Sequence, residues 1–312
     1  VFISSLFGKT RPVNYILSLS FLFVFFLLAH TGFSRSWPLA AVLPEKILSL
    51  GALLFSVLVV NFIVQRNQLT TTNAFALLFY CLFAVLFPET LVDPEVLFAA
   101  FFLLLAERRL ISLKSMKDVK SKVFDGALWI LVSSLFINWM VVFLVLVWIY
   151  IYFYEPKNLK LWFIPLAAVG TIGLVGWAGS YLLGNPTYLL SHYSLSVALP
   201  RAVDFSGPWI RIVVFLFLAL LAGLVSFLRQ SRSGHGRLTQ MRLLALGWLM
   251  GIVVLVLTRD RMGSTVMLTF FPSAVFLGKY VESIGRDFFR ELVLGGSVLV
   301  SLGVFFSQWV LK

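Results

Sequence analysis

Apolar runs of roughly fifteen to twenty residues recur along the whole chain, each closed by a short polar or charged interval. Runs of that length fit helices that cross a bilayer, and the strict alternation of a membrane β-barrel is absent. The pattern predicts about eleven spans, near 13–31, 46–64, 73–91, 95–111, 123–138, 139–154, 161–183, 209–228, 242–258, 265–281 and 291–309. The polar intervals reach only about fifteen to twenty-five residues, too few for a soluble domain. The expected fold is all-α, a polytopic transmembrane helical bundle, with residues 1–312 as a single domain. Small residues four apart mark expected packing faces: Gly176, Ser180 and Gly184, and Gly247 with Gly251.

Composition agrees with the pattern. Of 312 residues, 60% are hydrophobic and 12% charged, and the mean hydropathy is +0.98. Soluble domains carry about 25% charged residues. The net charge of +12 does not indicate nucleic acid, because the charges lie in short loops between spans, where they act as topology signals and attract anionic headgroups. The stretch Glu107 to Lys122, ERRLISLKSMKDVKSK, is the most basic of these loops. With the N-terminus cytoplasmic, 18 of the 25 Lys and Arg fall inside and seven outside. Fusing the third and fourth spans into one crossing would reverse this to eight inside and 17 outside, so the short fourth span is expected to cross and the C-terminus to be periplasmic. The apolar run from Ile16 to Ala29 has no small-residue cleavage site after it and is expected to be retained as the first span.

Candidate chemistry lies on the outer face. Between spans three and four, Glu89, Asp93 and Glu95 lie within seven residues. Asp93 and Pro94 read as a helix cap, and Glu95 suits the helix dipole. Glu89 is left unexplained, as a candidate general base. A second outer turn holds Arg259, Asp260 and Arg261, where two guanidinium forks suit a phosphate and an interfacial turn with Asp260 paired internally is the plainer account. The long outer segment 184–208 carries His192 and Arg201, with Arg211 just inside the next span. Its apolar residues predict a short surface helix. His192 is a candidate acid or base, against the plainer account of a hydrogen-bonded interfacial residue. Cys81 stands alone and His30, His192 and His235 are far apart, so no metal-ligand spacing exists. Gly234-His235-Gly236 lacks the Gly-Lys-Ser/Thr ending of a phosphate loop, and no cofactor is expected.

The segments FGKTRPVNYIL, NFIVQRN, LFPET, LLLAERRLISLKS, KVFDGALWI and GSTVMLTFFPSAVFLGKYVE, taken in order, resemble an uncharacterised family of polytopic inner-membrane proteins of Bacteroidota. The resemblance covers nearly the whole chain and implies a Gram-negative inner membrane and a helical bundle, with no activity attached. A looser similarity, in the basic loop before Phe124-Asp125-Gly126, is to membrane enzymes that handle polyprenyl-linked sugars. Glycosyltransferases of that kind carry an acidic residue in the first outer loop, and here only Glu45 is offered. Polymerases rely more on outer arginines and a histidine, a set that Arg201, Arg211, Arg259, Arg261 and His192 would supply. The function expected from these readings is action on a lipid-linked envelope glycan precursor at the periplasmic face. The alternative is a non-catalytic subunit of an envelope secretion, motility or lipid-trafficking complex. Expected partners are membrane lipids, a lipid-linked saccharide and envelope-complex proteins, and no nucleic acid.

Overall fold

The computed structural model describes residues 2–33, 43–193, 208–230, 235–258 and 261–310. Every regular element among them is helical. In chain order they are α1 (Phe2–Phe7), α2 (Pro12–Phe33), α3 (Leu43–Arg66), α4 (Phe75–Leu86), α5 (Glu89–Val92), α6 (Pro94–Ile111), α7 (Val119–Ser134), α8 (Leu144–Tyr154), α9 (Leu159–Leu182), α10 (Tyr188–His192), α11 (Pro208–Gln230), α12 (His235–Leu257), α13 (Met262–Thr265), α14 (Phe270–Glu282) and α15 (Asp287–Val310). Tighter 3₁₀ turns lead into α8 and α14.

Among the described residues, seven segments are long and apolar enough to cross a membrane: α2, α3, α9, α11, α12, α15 and the run Met262–Glu282 that joins α13 to α14. Phe75–Leu86 and Asn138–Tyr154 are apolar but shorter. The run expected to continue from 73 to 91 stops at Leu86, because Phe87 precedes Pro88 and adopts φ −120°, ψ 74°. A residue before proline is pushed out of the helical region by the pyrrolidine ring. The chain then makes the single turn of α5 and re-enters the bundle as α6.

The buried and lipid-facing helices separate clearly. Every residue of α4 from Phe75 to Val85 is buried, and 83% of an apolar 18-residue stretch within Met262–Glu282 is buried, against 17% of the corresponding stretches of α9 and α15. An apolar helix in lipid has no solvent to flee, so close backbone approach drives its packing. Gly278 of α14 lies where a Cβ would come within 3.1 Å of the Ala76 backbone nitrogen, which lets α4 and α14 touch directly. Gly251 of α12 similarly faces Thr269 at 3.0 Å. Of the expected small-residue face on α9, Gly176 meets Leu189 and Ser180 is buried. Gly184 instead terminates the helix at φ +76° with open space around it, the left-handed stop that glycine favours. Phe83, Phe87, Phe215 and Phe270 interlock at centroid distances of 4.8–5.8 Å. They bind α4, α11 and α14 together beneath the turn that holds Glu89.

Candidate functional site

Three of the candidate residues meet where α5, α6, α11 and α13 converge. Pro94 opens α6, and Asp93 caps it, accepting the Val96 amide at 3.3 Å. Pro88 ends α4, so Glu89 becomes the first residue of α5 and is swung toward α11. There Arg211 donates through Nη2 to Glu89 Oε1 at 2.7 Å and through Nη1 to the Leu86 carbonyl at 3.3 Å. Its guanidinium lies 4.9 Å over the Phe87 ring, a favourable cation–π placement. The Arg211 side chain is 12% exposed and that of Glu89 33%, so the pair is largely shielded and holds its geometry better than a surface ion pair.

A second pair stands beside it. Arg261 forms an ion pair with Glu95 and reaches Asp93 at 4.0 Å. Ser264 donates to the other Asp93 oxygen at 2.7 Å. Gly263 leaves room for Glu89, since a Cβ there would sit 3.4 Å from its Cγ. Two atoms in this arrangement have no partner among the described residues: Glu89 Oε2 and Arg211 Nε are both enclosed without a hydrogen bond there. Such groups are rare in native interiors. One free carboxylate oxygen and one free N–H give the pair an acceptor and a donor to offer a third group.

His192 is not part of this cluster. Its Nε2 lies 2.9 Å from the Ser134 carbonyl, its ring stacks on Tyr188, and its own carbonyl accepts from Asn138 at 3.2 Å. The neighbouring Tyr193 hydroxyl pairs with Ser134 Oγ at 2.7 Å. Burial raises the Tyr193 phenol above its usual range, and that hydrogen bond opposes the shift. His192 therefore fastens α10 to the end of α7, and the two candidate bases, Glu89 and His192, are held by different elements. The helix α10 packs on α9 and α7, whereas Glu89 is held by α11. Arg201, Arg259 and Asp260 lie outside the described residues.

The structure also singles out Glu107, which sequence reasoning treated as the first letter of a basic loop. It stands on the buried face of α6 with Leu103, Leu104, Leu110 and Ile111, 4% exposed. It forms no ion pair or hydrogen bond among the described residues, and its Oε1 points at Gly247 of α12. Tyr80 of α4 and Tyr150 of α8 interact with it electrostatically. Helical spacing carried the signal: Glu107 falls three residues from both Leu104 and Leu110, on the apolar side of the helix.

No family model, curated protein or solved structure matches this chain.

Proposed function

We propose that this chain is a bacterial inner-membrane protein of eleven crossings, its N-terminus cytoplasmic and its C-terminus periplasmic, that acts on a phosphate-bearing, lipid-linked envelope glycan precursor at its outer end. Glu89 is the working carboxylate, and Arg211 and Arg261 face the substrate's phosphates. One observation carries this reading: Glu89 and Arg211 are held against each other with one acceptor and one donor unused among the described residues. The charge asymmetry of the loops supports the orientation, and the sequence resemblance supports the inner membrane.

A charge exchange tests the activity. Glu89→Gln removes a base at constant shape. Glu89→Arg combined with Arg211→Glu keeps an ion pair but moves the carboxylate to another helix. Both variants are expected to insert and fold, and both to lower the lipid-linked glycan product by about 10²–10⁴-fold, the usual weight of general-base catalysis. Full product from the exchanged pair would sink the enzymatic reading.

A second reading, a non-catalytic subunit of an envelope complex, is favoured by a specific observation. Arg211 and Arg261 each already face an acid, and His192 is spent on docking α10. On that reading the exchanged pair restores function, and the protein leaves the membrane with partners in mild detergent. For orientation, Cys81 is buried and stays silent to impermeant maleimides. A cysteine at the exposed Asn185 is expected to label in spheroplasts, and one at the exposed Lys117 only after lysis.

A further inference from the structure

At the opposite end of α6, the loop after α3 and the loop between α6 and α7 enclose a groove of about 470 Å³. Five cations line it: Arg66, Arg108, Arg109, Lys114 and Lys122, and none of its lining residues is acidic. Among the described residues, Arg109 is the one of these five that forms an ion pair, with Asp125 at 3.1 Å. The lysines make neutral contacts: Lys122 donates to the Ser112 carbonyl at 3.0 Å and to Ser115 Oγ at 2.6 Å, and Lys114 to Gln240 Oε1 at 3.3 Å. Those bonds fix the ammonium groups without cancelling their charge. Arg66 has neither ion pair nor hydrogen bond among the described residues. Desolvation lowers the Lys122 ammonium below lysine's usual range; Asp118 opposes this, and the nearby Arg109 and Lys117 cations add to it.

The groove is not isolated. Phe62 and Arg66 also line a second crevice of about 730 Å³, which runs between α2 and α3 past Tyr15 and Leu58. Leu58 and Phe62 are both exposed, so this crevice opens on the lipid-facing side of the bundle. Arg108 sits 4.7 Å over the Phe62 ring, at the junction of the basic and apolar compartments. A cluster of unmatched cations joined to an open apolar channel has the shape of an amphiphile with an anionic head.

We propose that this groove binds the phosphate of an anionic membrane phospholipid, with Arg66 and Arg108 as its main donors and one acyl chain lying in the Tyr15–Leu58–Phe62 crevice. Guanidinium forks match phosphate oxygens in pairs, which a lysine cannot do. Stacking on Phe62 pre-orients Arg108, so little freedom is lost on binding. Basic pockets between membrane helices are known headgroup sites. The inference does not depend on the outer-site reading, since it concerns the other end of the molecule.

The test uses the full chain in nanodiscs of equal phosphatidylglycerol and phosphatidylcholine, released into mild detergent and weighed by native mass spectrometry. The wild type is expected to retain phosphatidylglycerol over phosphatidylcholine. Arg66→Gln with Arg108→Gln is expected to weaken that preference by about tenfold or more, since each cation at an anionic surface contributes about 1 kcal/mol. Lys160→Gln with Arg286→Gln, two exposed cations elsewhere, removes the same charge and is expected to change nothing. Leu58→Trp fills the crevice without altering charge and is expected to lower retention too, so the test survives if the arginine variant does not fold. Equal retention of both lipids by the wild type overturns the proposal. So does an equal loss in the Lys160/Arg286 control. Displacement of the lipid by millimolar inorganic phosphate would assign the groove to a soluble anion instead.

Discussion

The two ends of α6 carry charge in opposite ways. At its start, Asp93 and Glu95 face Arg261, and Glu89 faces Arg211. Cations and acids arrive there from four helices and pair with one another. At its end, Arg66, Arg108, Lys114 and Lys122 share a groove with no acid lining it. The difference teaches what each set is for. Charges matched within the chain hold one another in place where helices meet and so fix the geometry of the proposed outer site, while charges left unmatched face whatever anion the surroundings supply. On the proposed orientation, the matched end is the one away from the anionic cytoplasmic headgroups.

Mutations give several ways to break that contrast. The largest effect is expected at Arg211. Arg211→Leu strands Glu89, and loss of one partner from a shielded pair costs about 3–5 kcal/mol; with Glu89 a third exposed, the lower figure is expected, read as reduced stability to denaturant in detergent. A loss no greater than that of an inner-groove arginine would erase the distinction between the two ends. Gly278→Leu provides a steric yardstick that removes no charge and touches neither charge set directly. It wedges α4 from α14 and is expected to cost about 1–3 kcal/mol in the same assay. Ser264→Ala removes one hydrogen bond to Asp93 and should cost about 1 kcal/mol. Arg261→Ala breaks a pair whose side chains are half exposed, so no more than about 1 kcal/mol is expected. Arg66→Gln in neutral lipid should change stability by less than about 0.5 kcal/mol. A marked loss there would mean that the inner groove, too, holds the chain together.

Local features were legible in the sequence and distant pairings were not. Asp93 and Pro94 declared a helix start because capping is decided within four residues. The apolar runs marked out a helical bundle, because lipid demands that every backbone group be satisfied within a helix. Pro88 carried the break that separates α4 from α5, yet a hydropathy window reads across it. The Glu89–Arg211 pair spans 122 positions, and nothing in the local pattern tells an arginine at a span edge which acid it will meet. His192 was expected on a short helix and lies on α10, but its partner is a backbone carbonyl, and carbonyls occur at every residue. Glu107 was hidden by its neighbours: charge counting pooled it with the basic block, whereas helical spacing sets it among leucines.

The first turn of α1 also bears on the order of assembly. The amides of Ile3 and Ser4 donate to the Glu291 carboxylate at 2.7 and 2.9 Å, and in Ser4 the two partners are 287 residues apart. During synthesis α1 leaves the ribosome long before α15 exists. Its amides must remain with water or headgroups while every intervening helix inserts. The bond that joins α1 to α15 is thus a late step in maturation, and a chain stalled before Glu291 cannot make it.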